Sequence, residues 1–131
     1  MTAVQAVTVA DIAIVGLGEV GERFLEEMLR LKTRGIRIIS VAEAEDTPGR
    51  RRAIEQGIPV QTVDDIATKN SKVDVIFDLT GDPSLRRSLR EKMIETGNKH
   101  TIIAPETMAR LLWAIVTDDV QTTPDPAMRG Y

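Results

Sequence analysis

The stretch "IVGLGEVGERF" (Ile14 to Phe24) holds three glycines, Gly16, Gly18 and Gly21, in the spacing G-x-G-x-x-G. That spacing suits a backbone that cradles a pyrophosphate. The first glycine lets the chain turn sharply, the second lets phosphate approach the backbone, and the third lets the helix pack close to the sheet. A helix that opens there adds unpaired N–H groups and partial positive charge. We therefore assign Gly16, Leu17, Gly18, Glu19, Val20 and Gly21 to a cofactor grip. The Glu19 side chain is expected to point to solvent, because a second negative charge facing inward would oppose a bound anion. Glu43, in "SVAEAED", stands twenty-two positions after Gly21. A carboxylate at the end of the second strand accepts hydrogen bonds from an adenosine ribose and repels a 2′-phosphate. It favours NAD over NADP. Glu45 and Asp46 would take this role under a shifted register. The run Arg50-Arg51-Arg52 is either a 2′-phosphate site or a solvated helix face.

Other chemistry is sparse, and no residue presents itself as catalytic. His100 is the only histidine. It opens a strand at the end of the sheet away from the glycine turn, and without a second histidine or any cysteine it points to no metal site. Asp74 and Asp78 share a face of one strand at i, i+4, but Asp74 lies too near the strand's start for the two acids to share a pocket. Asp78, three residues before Gly81, is placed to approach a ligand. Trp113 belongs either to the core or to an interface.

Apolar runs and helical patterns alternate around these residues. Strands are expected over Asp11–Gly16, Ile36–Glu45, Pro59–Val63 (the weakest), Val73–Gly81 and His100–Pro105. Helices are expected from the glycine turn towards Gly35, over Pro48–Gly57, over "DDIATKN", after Asp82 as cap with Pro83 in the first turn, and over "ETMARLLWAIV". Leu85, Leu89, Met93 and Ile94 form the inner stripe of the fourth helix, and Met108, Leu111, Leu112 and Ile115 that of the fifth. Alternation of this kind predicts an α/β fold, a doubly wound parallel five-stranded sheet of order 3-2-1-4-5 in a three-layer Rossmann-like sandwich. The organisation expected is a lead-in over 1–10, a dinucleotide-binding domain over 11–116, and a tail or linker over 117–131.

A chain of 131 residues fits one domain. A net charge of −3 and 3% aromatic residues leave neither a basic surface nor a stacking platform, so nucleic acid is not an expected partner. No stretch is long and apolar enough to span a membrane. The N-terminal "MTAVQAVTVAD" lacks the basic start of a signal peptide, and the absence of cysteine suits a reducing compartment; a cytoplasmic protein is expected.

Through "IVGLGEVG", "ISVAEAE", "VDVIFDLTG" and "GNKHTIIAP", residues 11–116 resemble the nucleotide-binding half of the dehydrogenase superfamily that contains glucose–fructose oxidoreductase, homoserine dehydrogenase and dihydrodipicolinate reductase. The chain is also similar, through "ARLLW", to stand-alone or sensor-attached Rossmann modules of bacteria. The resemblance implies that Leu79, Thr80, Gly81 and Asp82 line the ribose and nicotinamide side of the cofactor, which agrees with their place after a strand's carboxyl end. The sequence also departs from that pattern. Ile103-Ala104-Pro105 stands where the first branch has Glu-Lys-Pro, and the Asn-Lys pair of homoserine dehydrogenases is missing. After Val116 the sequence reads as tail, so no substrate domain is expected. The function expected is a module that binds NAD(H), sensing, regulating or serving a partner. Two alternatives stand beside it: an NAD-dependent oxidoreductase completed by oligomerisation or by a further domain, and an empty scaffold used for association.

Overall fold

The computed structural model describes residues 8–68 and 72–116; the expected tail and the first seven residues of the lead-in lie outside the described residues. The elements run β1 (Ala10–Val15), α1 (Glu19–Arg30), a 3₁₀ turn (Lys32–Arg34), β2 (Ile36–Ala42), α2 (Pro48–Glu55), α3 (Val63–Ala67), β3 (Val75–Asp78), α4 (Pro83–Glu95), β4 (Ile102–Pro105) and α5 (Glu106–Val116). Strand pairing is parallel throughout, in the order β2-β1-β3-β4.

The parallel α/β architecture is as expected, but among the described residues the sheet has four strands rather than five. The weak strand over Pro59–Val63 is reduced to a single parallel bridge between Val41 and Val60. Two bonds make it, from the Val41 N–H to the Pro59 carbonyl and from the Gln61 N–H to the Val41 carbonyl. Pro59 has no N–H to extend the ladder on one side. On the other side Thr62 leaves to cap α3: its hydroxyl accepts the Asp65 N–H at 3.0 Å, and the Asp65 carboxylate accepts the Thr62 N–H at 3.4 Å. This reciprocal cap starts a helix where a strand would have continued.

Alternation along the strands sorts the core into two layers. Ile12, Ile14 and Phe77 face one side, where Phe24, Leu25 and Met28 of α1 and Ala109 of α5 cover them. Ala13, Val15 and Ile76 face the other, under Ile66 of α3 and Leu89 and Met93 of α4. Such two-sided burial explains why the strands read as nearly continuous apolar runs. Phe24 and Phe77 meet with ring centroids 4.6 Å apart and planes tilted by 52°, an arrangement worth about 1 kcal/mol beyond the area it buries.

Two expected stripes are corrected. Ile94 is 80% exposed, so α4 turns only Leu85, Leu89 and Met93 inward. In α5 the core receives Ala109 and Leu112, at i and i+3, while Met108, Leu111 and Ile115 remain exposed. Of the expected stripe only Leu112 turns inward, because a small residue, Ala109, sets the face that meets the sheet.

Because the sheet is parallel, Val15, Ala42 and Asp78 all end at one edge. The chain leaves β1 for β2 on one side and reaches β3 on the other. The switch in direction therefore falls at the carboxyl end of β1, where Gly16 begins the glycine turn.

Candidate functional site

The three glycines differ in what surrounds them. Gly16 has φ +96°, and an added Cβ would lie 2.9 Å from Thr80 Cγ2 and 3.0 Å from the Leu79 carbonyl carbon and the Thr80 nitrogen. It is required by backbone conformation and by close packing. At Gly21 a Cβ would fall 2.0 Å from the Gly16 carbonyl oxygen, so the helix can meet the turn only without a side chain. Gly18 has no such constraint. Its φ of −75° is ordinary, it is exposed, and an added Cβ would meet nothing within 4 Å. It is also the N-cap of α1, with no side-chain hydrogen bond capping the helix. Packing within the chain does not call for glycine there, whereas a bulky anion seated on the helix N-terminus does. The residues present therefore fit the pyrophosphate of a dinucleotide.

Glu43 stands beside this turn, half-buried. Its Oε1 accepts the Leu17 N–H at 2.6 Å and its Oε2 accepts the Glu45 N–H at 3.0 Å. The carboxylate thus ties the end of β2 to the glycine turn and keeps further lone pairs for hydroxyl donors. Arg50 joins it, donating from Nε to the Glu43 carbonyl at 3.0 Å. Thr47 caps α2 by accepting the Arg50 N–H at 3.0 Å. Gly49, where a Cβ would come within 2.9 Å of the Leu17 carbonyl, lets that helix seat against the turn.

A groove of about 570 Å³ runs along this edge. Gly16 and Thr80 form one wall, Glu43 and Arg50 another, and Val63 and Leu85 give it apolar surface. Its size is that of a small-ligand pocket.

The other assigned residues divide by burial. Glu19, Thr80 and Gly81 are exposed at the turn and Val20 is half-buried, Glu19 facing solvent as expected. Leu17 and Leu79 are buried in the core, so only their backbones belong to the turn. Asp82 caps α4, accepting the Ser84 N–H at 3.0 Å. The Ser84 hydroxyl, and after it that backbone bond, hold its carboxyl below the usual aspartate range. Asp78 does not approach the groove; it is completely buried and bonded to Thr80 and Arg86.

The basic run is not a free positive face. Arg51 pairs with Asp46 at 3.1 Å, and Arg52 with Glu26 at 2.6 Å and Glu55 at 3.4 Å; only Arg50 turns to the groove. Sequence reasoning did not select the groove wall from Val60 to Asp65 or Leu85. These lie on a bridge, a short helix and a helix face, with no spacing signal of their own.

Asp74 and His100 meet at the opposite end of the sheet. His100 Nε2 lies 2.6 Å from Asp74 Oδ1, and Asp74 Oδ2 accepts the Asp11 N–H at 2.8 Å. Asp11 also holds Arg37 through two bonds, at 2.6 and 2.9 Å. Trp113 is half-buried, with the Arg23 guanidinium 5.6 Å from its ring centroid. Among the described residues no three acids or histidines stand close enough to hold a metal ion. Nor is any described helix long and apolar enough to cross a membrane.

Sheet order, layers and glycine turn together define a Rossmann-type α/β domain. No protein-family model matches the chain, and no curated protein sequence does. Solved structures do. Homoserine dehydrogenase from S. aureus superposes with a TM-score of 0.54 at 18% identity, covering 84% of this chain and 30% of that one. A scyllo-inositol dehydrogenase from Lactobacillus casei gives 0.52 at 16%, over 88% and 35%. A protein from Bacteroides fragilis, named as an NADP oxidoreductase, gives 0.54 at 19%, over 73% and 35%. The similarity to these structures holds at the level of the fold. The chain spans about a third of the length of these structures.

Proposed function

We propose that this chain binds a nicotinamide dinucleotide across the Gly16 turn, with NAD preferred to NADP, and that the unit over 11–116 does so as a module that senses, regulates or serves a partner. The observation that carries the reading is Gly18: an exposed helix N-cap, glycine without a packing or conformational need, with open space where a side chain would stand. The fold supports it, as do the names of the neighbours, which are dehydrogenases and an oxidoreductase. Preference for NAD rests on Glu43, which lines the groove and whose negative charge disfavours a 2′-phosphate. Arg50 is the residue that a 2′-phosphate would seek instead.

Calorimetric titration with NAD, NADH, NADP, AMP and S-adenosylmethionine tests the reading. Saturable binding of NAD or NADH, tighter than of NADP, is expected; no binding of any of the five at millimolar concentration overturns it.

A second reading is an NAD-dependent oxidoreductase completed by a second copy or a partner domain. The exposed stripe Met108, Leu111 and Ile115 on α5 favours it, as an apolar helix face open to association. Turnover of dinucleotide with small alcohols or hydroxy acids, dependent on protein concentration, is its distinguishing outcome.

A further inference from the structure

We propose that Asp78 is a positioning residue: with Arg86 it fixes the Thr80–Asp82 turn against Gly16 and so shapes the half of the site that lies away from Glu43. The inference rests on the dinucleotide reading above. A carboxylate with no exposed surface is costly to bury unless its oxygens are matched by donors. Packing does not require one here, because the residues level with it on the neighbouring strands are Val15 and Pro105. Its partners show what it does. Oδ1 accepts both the N–H and the hydroxyl of Thr80, at 3.1 and 2.7 Å, and Oδ2 accepts Arg86 Nε at 3.2 Å.

The bonds continue in one direction. Having donated its proton to Asp78, the Thr80 hydroxyl accepts the Asp82 N–H at 3.1 Å, and Asp82 caps α4 through Ser84. The turn so held is the one that leaves no room for a Cβ at Gly16. Glu43 therefore secures the glycine turn from the β2 side through Leu17, and Asp78 secures it from the β3 side through Thr80. A dinucleotide laid across the switch point places its adenosine half towards the first side and its second half towards Thr80 and Gly81. Asp78 thus governs the second half without touching the ligand.

The test compares NAD with AMP, which carries only the adenosine half, on the full chain and its Asp78→Asn variant. Because a buried carboxylate site can fail to fold when altered, Arg86→Lys serves as a second variant; its side chain is 31% exposed and reaches water. Expected is a loss of about tenfold in NAD affinity with AMP affinity kept within about twofold, since charge-assisted hydrogen bonds hold the turn. Equal loss for both ligands, which a merely structural role produces, overturns the inference, and so does an unchanged NAD affinity in a folded variant. If the unaltered chain binds neither ligand, the dinucleotide reading fails, and amide NMR of the ligand-free proteins decides the role of Asp78. A displaced Gly16 amide signal in Asp78→Asn or Arg86→Lys supports it, and an unmoved one overturns it.

Discussion

The carboxylate of Glu43 accepts the Leu17 N–H at 2.6 Å, so the acid expected to read a ribose also holds the glycine turn in place. The two roles use different lone pairs of one group. Glu43→Gln keeps one acceptor oxygen and removes the charge. Charge-assisted bonds are roughly twice as strong as neutral ones, so we expect a loss of about 1 kcal/mol in stability and about tenfold in NAD affinity. NADP affinity should rise, because the repulsion of a 2′-phosphate is gone and Arg50 remains. Calorimetry with both dinucleotides checks this, and an unchanged NAD to NADP ratio would remove Glu43 from the specificity argument.

Gly18 and Gly21 should behave in opposite ways. Gly18→Val places its side chain in open space at a permitted φ, so stability should change by no more than about 1 kcal/mol, the scale of an N-cap substitution. Dinucleotide binding should be lost, because the side chain occupies the pyrophosphate position. Gly21→Ala forces a Cβ to within 2.0 Å of the Gly16 oxygen, and the chain must shift. Overpacking of this kind costs about 1–3 kcal/mol or more. Thermal unfolding beside NAD titration separates the two variants. A Gly18→Val protein that still binds NAD tightly would contradict the proposed site.

What could be read from the sequence follows the range of the interactions involved. The glycine turn between β1 and α1, the Asp82 cap and, outside the third strand, the alternation of strands with helices are local patterns, and each appears where expected. The weak third strand lies beside β2 in parallel pairing, as expected, but shrinks to one bridge: its apolar alternation is real, yet Pro59 and the Thr62 cap compete for its backbone, and that competition is settled only by the pairing. From sequence Asp78 reads as an acid placed to approach a ligand, because its distance from Gly81 is visible there and its partner Arg86 is not marked by any motif. The contact of Thr80 with Gly16 spans sixty-four positions, and no spacing rule anticipates it.

Asp74 makes stability depend on pH at the acid end. The Asp11 backbone N–H, and after it the hydrogen bond with His100, hold the Asp74 carboxyl below the usual aspartate range. A carboxyl lowered on folding stabilises the native state above its unfolded value, about 3.9, and that contribution fades as pH falls through the lower folded value. Asp74→Asn should therefore flatten the acid limb of stability below about pH 4. Denaturant unfolding between pH 2 and 6, on both proteins, checks the slope; parallel curves would show that Asp74 contributes no linkage.

Ser40 offers a change in the stabilising direction. It lies on β2 just beyond the register shift between Ile12 and Ala13, opposite Ala13. Its side chain is fully buried, and its hydroxyl finds no hydrogen-bond partner among the described residues. The unfolded chain solvates that hydroxyl, so folding strips it of water without replacing the bond, a cost of about 1–3 kcal/mol. Alanine differs from serine only by this oxygen and leaves a void smaller than a methyl group. Some packing is lost with the oxygen, so the net gain expected for Ser40→Ala is about 1 kcal/mol. That is a rise of a few degrees in Tm for a domain of this size. Dinucleotide affinity should stay the same, because Ser40 lies two residues short of Ala42 and outside the groove. A fall in Tm would mean that the hydroxyl has a partner, and the hydrogen-bonding of β2 at the register shift would then need to be redrawn.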